Sequence, residues 1–143
     1  LLFAPVYSGE VEMFAGSRPK NLGVNAGKLK PCPKKPNCVS SQVEAADTHY
    51  VAPMVFTGSA ADAIARIKKI IASMERTQVI NATPNYLYAE FKSKLMGYVD
   101  DVEFYADEST RMMHVRSASR LGYRDFNVNR ERIEAIRKQF MSK

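Results

Sequence analysis

The hydrophobic period of this chain switches from helical to alternating and back, and that switch limits the folds open to it. Ala60, Ile64, Ile67, Ile71 and Met74 recur at helical spacing, Ile70 widens the stripe, and Arg66, Lys68 and Lys69 fall on the opposite face. Ser59 stands where an N-cap would accept the first free backbone N–H groups. From Thr77 the period falls to two, as strands require. Residues 77–82 are rich in β-formers, and Pro84-Asn85 reads as a turn. Over 86–94, Leu87, Ala89 and Phe91 alternate with Tyr86, Tyr88, Glu90 and Lys92; over 98–106, Val102 and Phe104 share a face. Over 112–119, Met113, Val115 and Ser117 lie opposite Met112, His114 and Arg116. Helical spacing then returns with Ile133, Ile136, Arg137 and Phe140, and Asn129 reads as the cap of this last helix.

An earlier strand is expected over 50–56, interrupted by Pro53, which favours an edge position because proline cannot donate to the ladder. The order is then β-α-β-β-β-β-α. It predicts an α+β fold, an antiparallel twisted sheet of about five strands with two helices packed on one face. At 143 residues, 45% hydrophobic and 25% charged, the chain has the profile of one globular domain with one core. Residues 1–48 hold most of the proline and glycine and lack sustained periodicity. They read as an irregular N-terminal arm, followed by the single α+β domain over 49–143. The start at Leu1-Leu-Phe-Ala-Pro-Val-Tyr rather than Met is what a processed mature chain or a trimmed one would show, with a targeting segment lost. No window approaches the ~20 apolar residues of a membrane helix.

The net charge of +6 is unevenly spread. Six lysines or arginines and no acid lie over 17–43, and five acids and no base over 98–110; from Arg111 onward nine bases stand against three acids. Such a basic balance raises nucleic acid as a partner. No reader motif is present, there is no Trp, and the aromatics do not interleave with the basic runs, so nucleic-acid binding is not expected. An acidic protein face or an anionic membrane surface fits the charge at least as well.

The densest concentration of reactive groups is 116–130, which holds Arg116, Arg120, Arg124 and Arg130 with Ser117, Ser119, Asp125, Asn127 and Asn129, where a strand runs into a helix. Guanidinium forks suit carboxylate or phosphate. One reading is a small enzyme or anion-binding module centred on Arg116, Arg120, Asp125 and Arg130. The other is an internal framework in which Arg111, Arg116 or Arg120 pairs across the sheet with Asp101 and Glu103 on a solvated strand face. Asp100 shares parity with Val102 and Phe104, so it points towards the core and needs a cationic partner, for which a nearby arginine such as Arg130 is the candidate. Ser117 or Ser119 with His114 and Asp125 would make a nucleophile set, but there is no G-x-S-x-G elbow and His114 lies on the opposite strand face from Ser117. Asp125 and Asn129 suit a turn and a helix start, and Asn127 tolerates positive φ. Asn81-Ala82-Thr83 matches a glycosylation sequon, but Pro84 follows in a β-rich context that makes the match incidental.

Cys32 and Cys38 sit in a loop stiffened by prolines, where a short-range disulfide is the preferred reading; free thiols, or a zinc site completed by His49 and His114, are alternatives. A ring this small would contribute about 2 kcal/mol, enough to fix the loop and too little to decide the fold.

Four segments together carry a family resemblance: Arg18-Pro-Lys-Asn-Leu-Gly23, Pro31-Cys-Pro-Lys-Lys-Pro-Asn-Cys-Val-Ser-Ser41, Gly97-Tyr-Val-Asp-Asp-Val-Glu-Phe-Tyr105 and Arg116–Arg130. The set closely resembles the family known as domain of unknown function 1499, over most of the chain from Arg18 to Phe140. In that family the run after Leu121 usually resembles Gly-Tyr-Ser-Asp-Phe-Gly-Val-Asn-Arg; here Arg124 and Asn127 replace its serine and second glycine, while Arg116, Ser117, Ser119, Arg120, Asp125, Asn129 and Arg130 match. The resemblance implies an exported bacterial protein or a plastid protein. A thylakoid lumen is the first expectation and a bacterial periplasm the second, since no cysteine near the start offers a lipid anchor. Both compartments permit a disulfide. The function expected is that of a non-enzymatic accessory or binding protein, such as an extrinsic subunit on the lumenal side of a photosynthetic membrane complex, with no cofactor and no metal. Its partner would be a membrane protein complex or an acidic protein surface.

Overall fold

The computed structural model describes residues 14–142; residues 1–13, the first part of the segment read as an arm, lie outside the described residues, as does Lys143. Eight elements follow in chain order: β1 (Cys38–Ser40), β2 (Met54–Val55), α1 (Ala60–Ala72), β3 (Thr77–Thr83), β4 (Tyr86–Lys92), β5 (Val99–Asp107), β6 (Met112–Ser119) and α2 (Val128–Met141). They form one open antiparallel sheet in the order β1-β6-β5-β4-β3, with β2 also pairing β6. The expected order β-α-β-β-β-β-α and the two helices are present, with β1 as an additional strand inside the segment read as irregular. Sequence pattern could not reveal β1, because three residues beside prolines show no period.

The strand expected over 50–56 pairs only at Met54–Val55, immediately after Pro53. Val51, Met54 and Phe56 are nonetheless buried. Apolar side chains hold this segment to the core although most of it makes no ladder.

Parity along the strands divides the sheet into two faces. Leu87, Ala89 and Phe91, Val102 and Phe104, and Met113 and Val115 pack with Ile64, Ile67 and Ile71 of α1 and Ile133, Ile136 and Phe140 of α2. Ser59 caps α1 as expected, its side chain accepting from the Asp62 backbone N–H at 3.1 Å. Met74 lies just beyond the helix end but still packs on the core. In β3 the register shifts between Val79 and Asn81. This bulge lets Val79 join the helix-side core while Ile80 packs on the other side of the sheet.

The second face carries Tyr86, Tyr88 and Glu90, Asp101 and Glu103, and Arg116. It is covered by the chain before β1. Leu29 is buried against Tyr86 and Tyr88, with Leu22, Ile80 and Tyr105 around them, and the Gly23 backbone N–H donates to Glu103 at 2.7 Å. The solvated strand face expected for Asp101 and Glu103 is therefore absent: Glu103 is 0% and Asp101 2% exposed. Period-two alternation with tyrosines and acids cannot reveal that a remote, proline-rich segment will cover that face.

Candidate functional site

Two polar layers flank β5 and β6, one on each side of the sheet, and they divide the arginine-rich run between them. On the face under the N-terminal segment, Arg120 binds Asp101 through Nη2–Oδ1 at 2.6 Å and Nε–Oδ2 at 3.1 Å, and Glu90 Oε2 at 2.8 Å. Arg18 binds the same Glu90 oxygen at 2.6 Å. Burial alone would raise the Glu90 carboxyl, but the guanidiniums of Arg18 and Arg120 outweigh it and hold the group at about 2. The carboxylates in turn keep Arg120 firmly charged against the cost of its burial. Tyr88 donates to Asp101 at 2.5 Å and Tyr86 to Glu103 at 2.6 Å; burial first, and then these anions, push both phenols well above their ordinary range.

Arg116 is 4% exposed and faces Glu103 at 3.8 Å, a contact too long for a hydrogen bond. Its Nη2 donates to the Pro31 carbonyl at 3.4 Å. Arg116 Nε and Glu103 Oε1 make no hydrogen bond among the described residues. Burial lowers the Arg116 pKa, with Glu103, Asp101 and Tyr86 opposing it. These pairings fulfil the cross-sheet alternative for Arg116 and Arg120. The third candidate, Arg111, instead donates to the Gly58 carbonyl.

The layer between the sheet and α2 is built around Asn129. Ser117 Oγ donates to Asn129 Oδ1 at 2.6 Å, Asn129 Nδ2 donates to Ser119 Oγ at 2.9 Å, and Arg132 Nη1 donates to Asn129 Oδ1 at 2.9 Å. Arg132 also binds Asp100 at 2.7 Å and lies over the Phe91 ring, 4.7 Å from its centroid. Arg132, not Arg130, thus neutralises Asp100. A residue three positions after Asn129 lies on the same helix face, and that spacing was the available signal. Arg130, on another face, donates to the carbonyls of Tyr50 and Thr48 at 2.5 and 2.7 Å.

Asn129 is not the cap of α2. Asn127 occupies that position at φ 67°, without a side-chain cap bond, and Asn129 is fully buried within the first turn. Asp125 supplies the acceptors instead: Oδ1 takes the Asn127 backbone N–H at 3.0 Å, and Oδ2 takes the Asn129 backbone N–H at 3.1 Å and its Nδ2 at 2.8 Å. Two asparagines of equal capping preference two residues apart could not be ranked from sequence.

The remaining candidates do not converge. Ser117 is buried beneath α2, whereas His114, on the other sheet face, meets Ser41 Oγ at 3.0 Å and is held below its usual pKa, first by burial. Cys32 and Cys38 are joined as a disulfide, which removes both the free-thiol and zinc alternatives. His49 bonds to Asp47 and to the Lys35 carbonyl. Among the described residues no cluster of three or more His, Cys, Asp or Glu is arranged to hold a metal.

Beside this framework lies a cleft of about 320 Å³ between the β4–β5 loop (residues 93–98) and the β6–α2 loop (residues 120–127). Ser93 and Tyr98 line one side, Leu121, Arg124 and Phe126 the other, and Val128 stands at the start of α2. The strand expected over 86–94 ends at Lys92, and Lys94, Leu95 and Met96 show no period that would mark this loop as part of a site.

The family described as "Protein of unknown function (DUF1499)" matches residues 28–140. The chain belongs to this family. The match takes in the disulfide loop, every strand among the described residues and both polar layers apart from Arg18 and Gly23, so the DUF1499 unit includes the segment with β1 as well as the helix-bearing part. No curated protein matches the chain. Among the described residues no helix is long and apolar enough to cross a membrane.

Proposed function

We propose that this DUF1499 protein is a non-enzymatic binding protein of an extracytoplasmic compartment, an accessory subunit that docks on a membrane protein complex. A thylakoid lumen is the preferred setting and a bacterial periplasm the alternative; the Cys32–Cys38 disulfide suits both. One observation carries this reading. Arg116, Arg120 and Arg130 all have internal partners, while large apolar side chains stand exposed on the two loops beside them. Chemistry on an anion needs charged groups facing an open site; binding needs an exposed, shaped, partly apolar surface. Three of the four arginines in the 116–130 run serve the framework, and apolar groups stand outside.

The alternative, a small enzyme or anion-binding module on Arg116, Arg120, Asp125 and Arg130, requires those groups to share one site. Arg116 and Arg120 lie on the face covered by the N-terminal segment, whereas Asp125 and Arg130 share a small cleft with Pro36 and His49 at the start of α2. That division favours the binding reading.

Photo-crosslinking in native membranes tests it, with p-benzoylphenylalanine in place of Phe126 or, as a control, of Lys69 on the exposed side of α1. A discrete protein adduct from position 126 and none from position 69 is the expected result. A protein that purifies as a free monomer and gives no protein adduct from position 126 would overturn the reading.

A further inference from the structure

The same loops have properties that a protein partner alone does not require. Among the described residues, seven of the ten exposed large hydrophobic ones, Leu95, Met96, Tyr98, Leu121, Tyr123, Phe126 and Val128, lie in or directly beside them. Both loops leave one end of the sheet, where Asp100 pairs with Ser119 and the Arg120 backbone N–H donates to the Val99 carbonyl at 3.0 Å. Leu95 on one loop is 75% exposed and Phe126 on the other 88%.

These side chains are held outward by ordered backbone. Ser93 Oγ donates to the Leu95 carbonyl at 2.6 Å and accepts from the Tyr98 backbone N–H at 2.9 Å, closing the first loop. Asn37 Nδ2 donates to the Gly122 carbonyl at 2.9 Å, and Asp125 ties down the second. Met96 at φ 70° and Phe126 at φ 53° adopt the left-handed region, which is unfavourable for bulky residues and is kept only where surrounding structure enforces it. A fold that merely tolerated exposed hydrophobes would gain by letting these positions relax.

Charge selects the partner. The exposed ionisable groups on the loop tips are Lys94 and Arg124, both basic. The one acid within these two loops, Asp125, has both oxygens occupied by N–H donors at the helix start. The next exposed acid along the chain, Glu131, lies a turn into α2. Aromatic and aliphatic tips flanked by lysine and arginine match the boundary of an anionic bilayer, where apolar groups enter the acyl region, tyrosines sit at headgroup depth and cations meet lipid phosphates.

We propose that the loops 93–98 and 120–127 form a membrane-surface anchor that inserts Leu95 and Phe126 into an anionic lipid bilayer, with Lys94 and Arg124 on its headgroups. The proposal rests on the docking face identified above and adds that its tips, Leu95 and Phe126, enter the lipid bordering the docked complex. It requires no helix across the membrane: the domain lies on the surface with the β4–β5 end of its sheet towards lipid.

The chain contains no Trp, so Phe126→Trp supplies a single indole reporter in it. With vesicles of phosphatidylcholine and phosphatidylglycerol its emission should shift to the blue and the protein should cosediment; with phosphatidylcholine alone binding should be at least about tenfold weaker. Lys94→Gln and Arg124→Gln should each weaken binding to the anionic vesicles by about fivefold, and added salt should do the same. Leu95→Ser should weaken binding further while leaving the circular dichroism unchanged. Lack of binding to anionic vesicles, or an equal blue shift from Lys69→Trp, would overturn the proposal. A protein adduct from position 126 without vesicle binding would sink the lipid anchor and leave the binding-protein reading intact; vesicle binding without a protein adduct would do the reverse.

Discussion

Arg132 on α2 and Asp100 on β5 form a 2.7 Å ion pair between the helix layer and the sheet, with both side chains largely buried. The guanidinium is fixed further by Asn129 Oδ1, by Ser117 Oγ at 3.1 Å and by the Phe91 ring. Removing one partner leaves the other charge where water reaches it poorly, so the two single variants and the double variant should differ in a defined way. Arg132→Met should cost about 3 kcal/mol, and Asp100→Asn with Arg132→Met together clearly less, because the stranded carboxylate is gone. Urea unfolding of the four proteins measures the cycle. Equal losses in the single and double variants would show that Arg132 acts by packing alone.

The same pair shows how far sequence pattern reaches. Parity placed Asp100 on the core side of its strand, and helical and alternating periods gave the element order, because apolar spacing reports directly on which face is buried. Partner choice was not legible in the same way. Arg130 and Arg132 are close in sequence, and only the rotation of α2, set by Ile133, Ile136 and Phe140 against the sheet, decides which one reaches Asp100. Coverage of the second sheet face was hidden for a different reason. It depends on Leu29 and Gly23, whose contacts with Tyr86, Tyr88 and Glu103 span more than fifty residues and leave no local period. The loop cleft was half visible: its β6–α2 side fell in the arginine-rich run, but its β4–β5 side carries no chemical signature at all.

Glu90 provides a pH test of the covered face. Its carboxyl titrates at about 2 in the folded protein against an ordinary value of 4.5, because Arg18 and Arg120 both bind it. A depressed folded-state pKa contributes stability that is complete above about 4.5 and is lost as the pH falls towards 2. The contribution should be on the order of 2 kcal/mol, after allowance for the solvent that reaches Arg18. Glu90→Gln should be less stable than the parent at neutral pH and should show a shallower loss of stability between pH 4.5 and 2. Thermal unfolding of both proteins across that range checks the sign; an unchanged slope in the variant would mean that other carboxylates carry the acid sensitivity.

Asn129 distinguishes a cap from a buried junction. At an N-cap, serine replaces asparagine almost without cost, since either oxygen accepts a backbone N–H. Asn129 instead uses both ends of its amide: Oδ1 accepts from Ser117 and Arg132, while Nδ2 donates to Ser119, Asp125 and, at 3.3 Å, the Asn37 carbonyl. A serine hydroxyl is too short and has too few donors to serve these partners, and in a fully buried site each abandoned group keeps its desolvation cost. Asn129→Ser should therefore cost about as much as Asn129→Ala, roughly 2–4 kcal/mol, whereas Asn127→Gly at the left-handed cap should change stability by less than about 1 kcal/mol. Chemical denaturation of the three variants decides between the roles: a near-neutral Asn129→Ser would restore Asn129 as a simple helix cap and remove the link it makes between α2, β6 and the segment leading into β1.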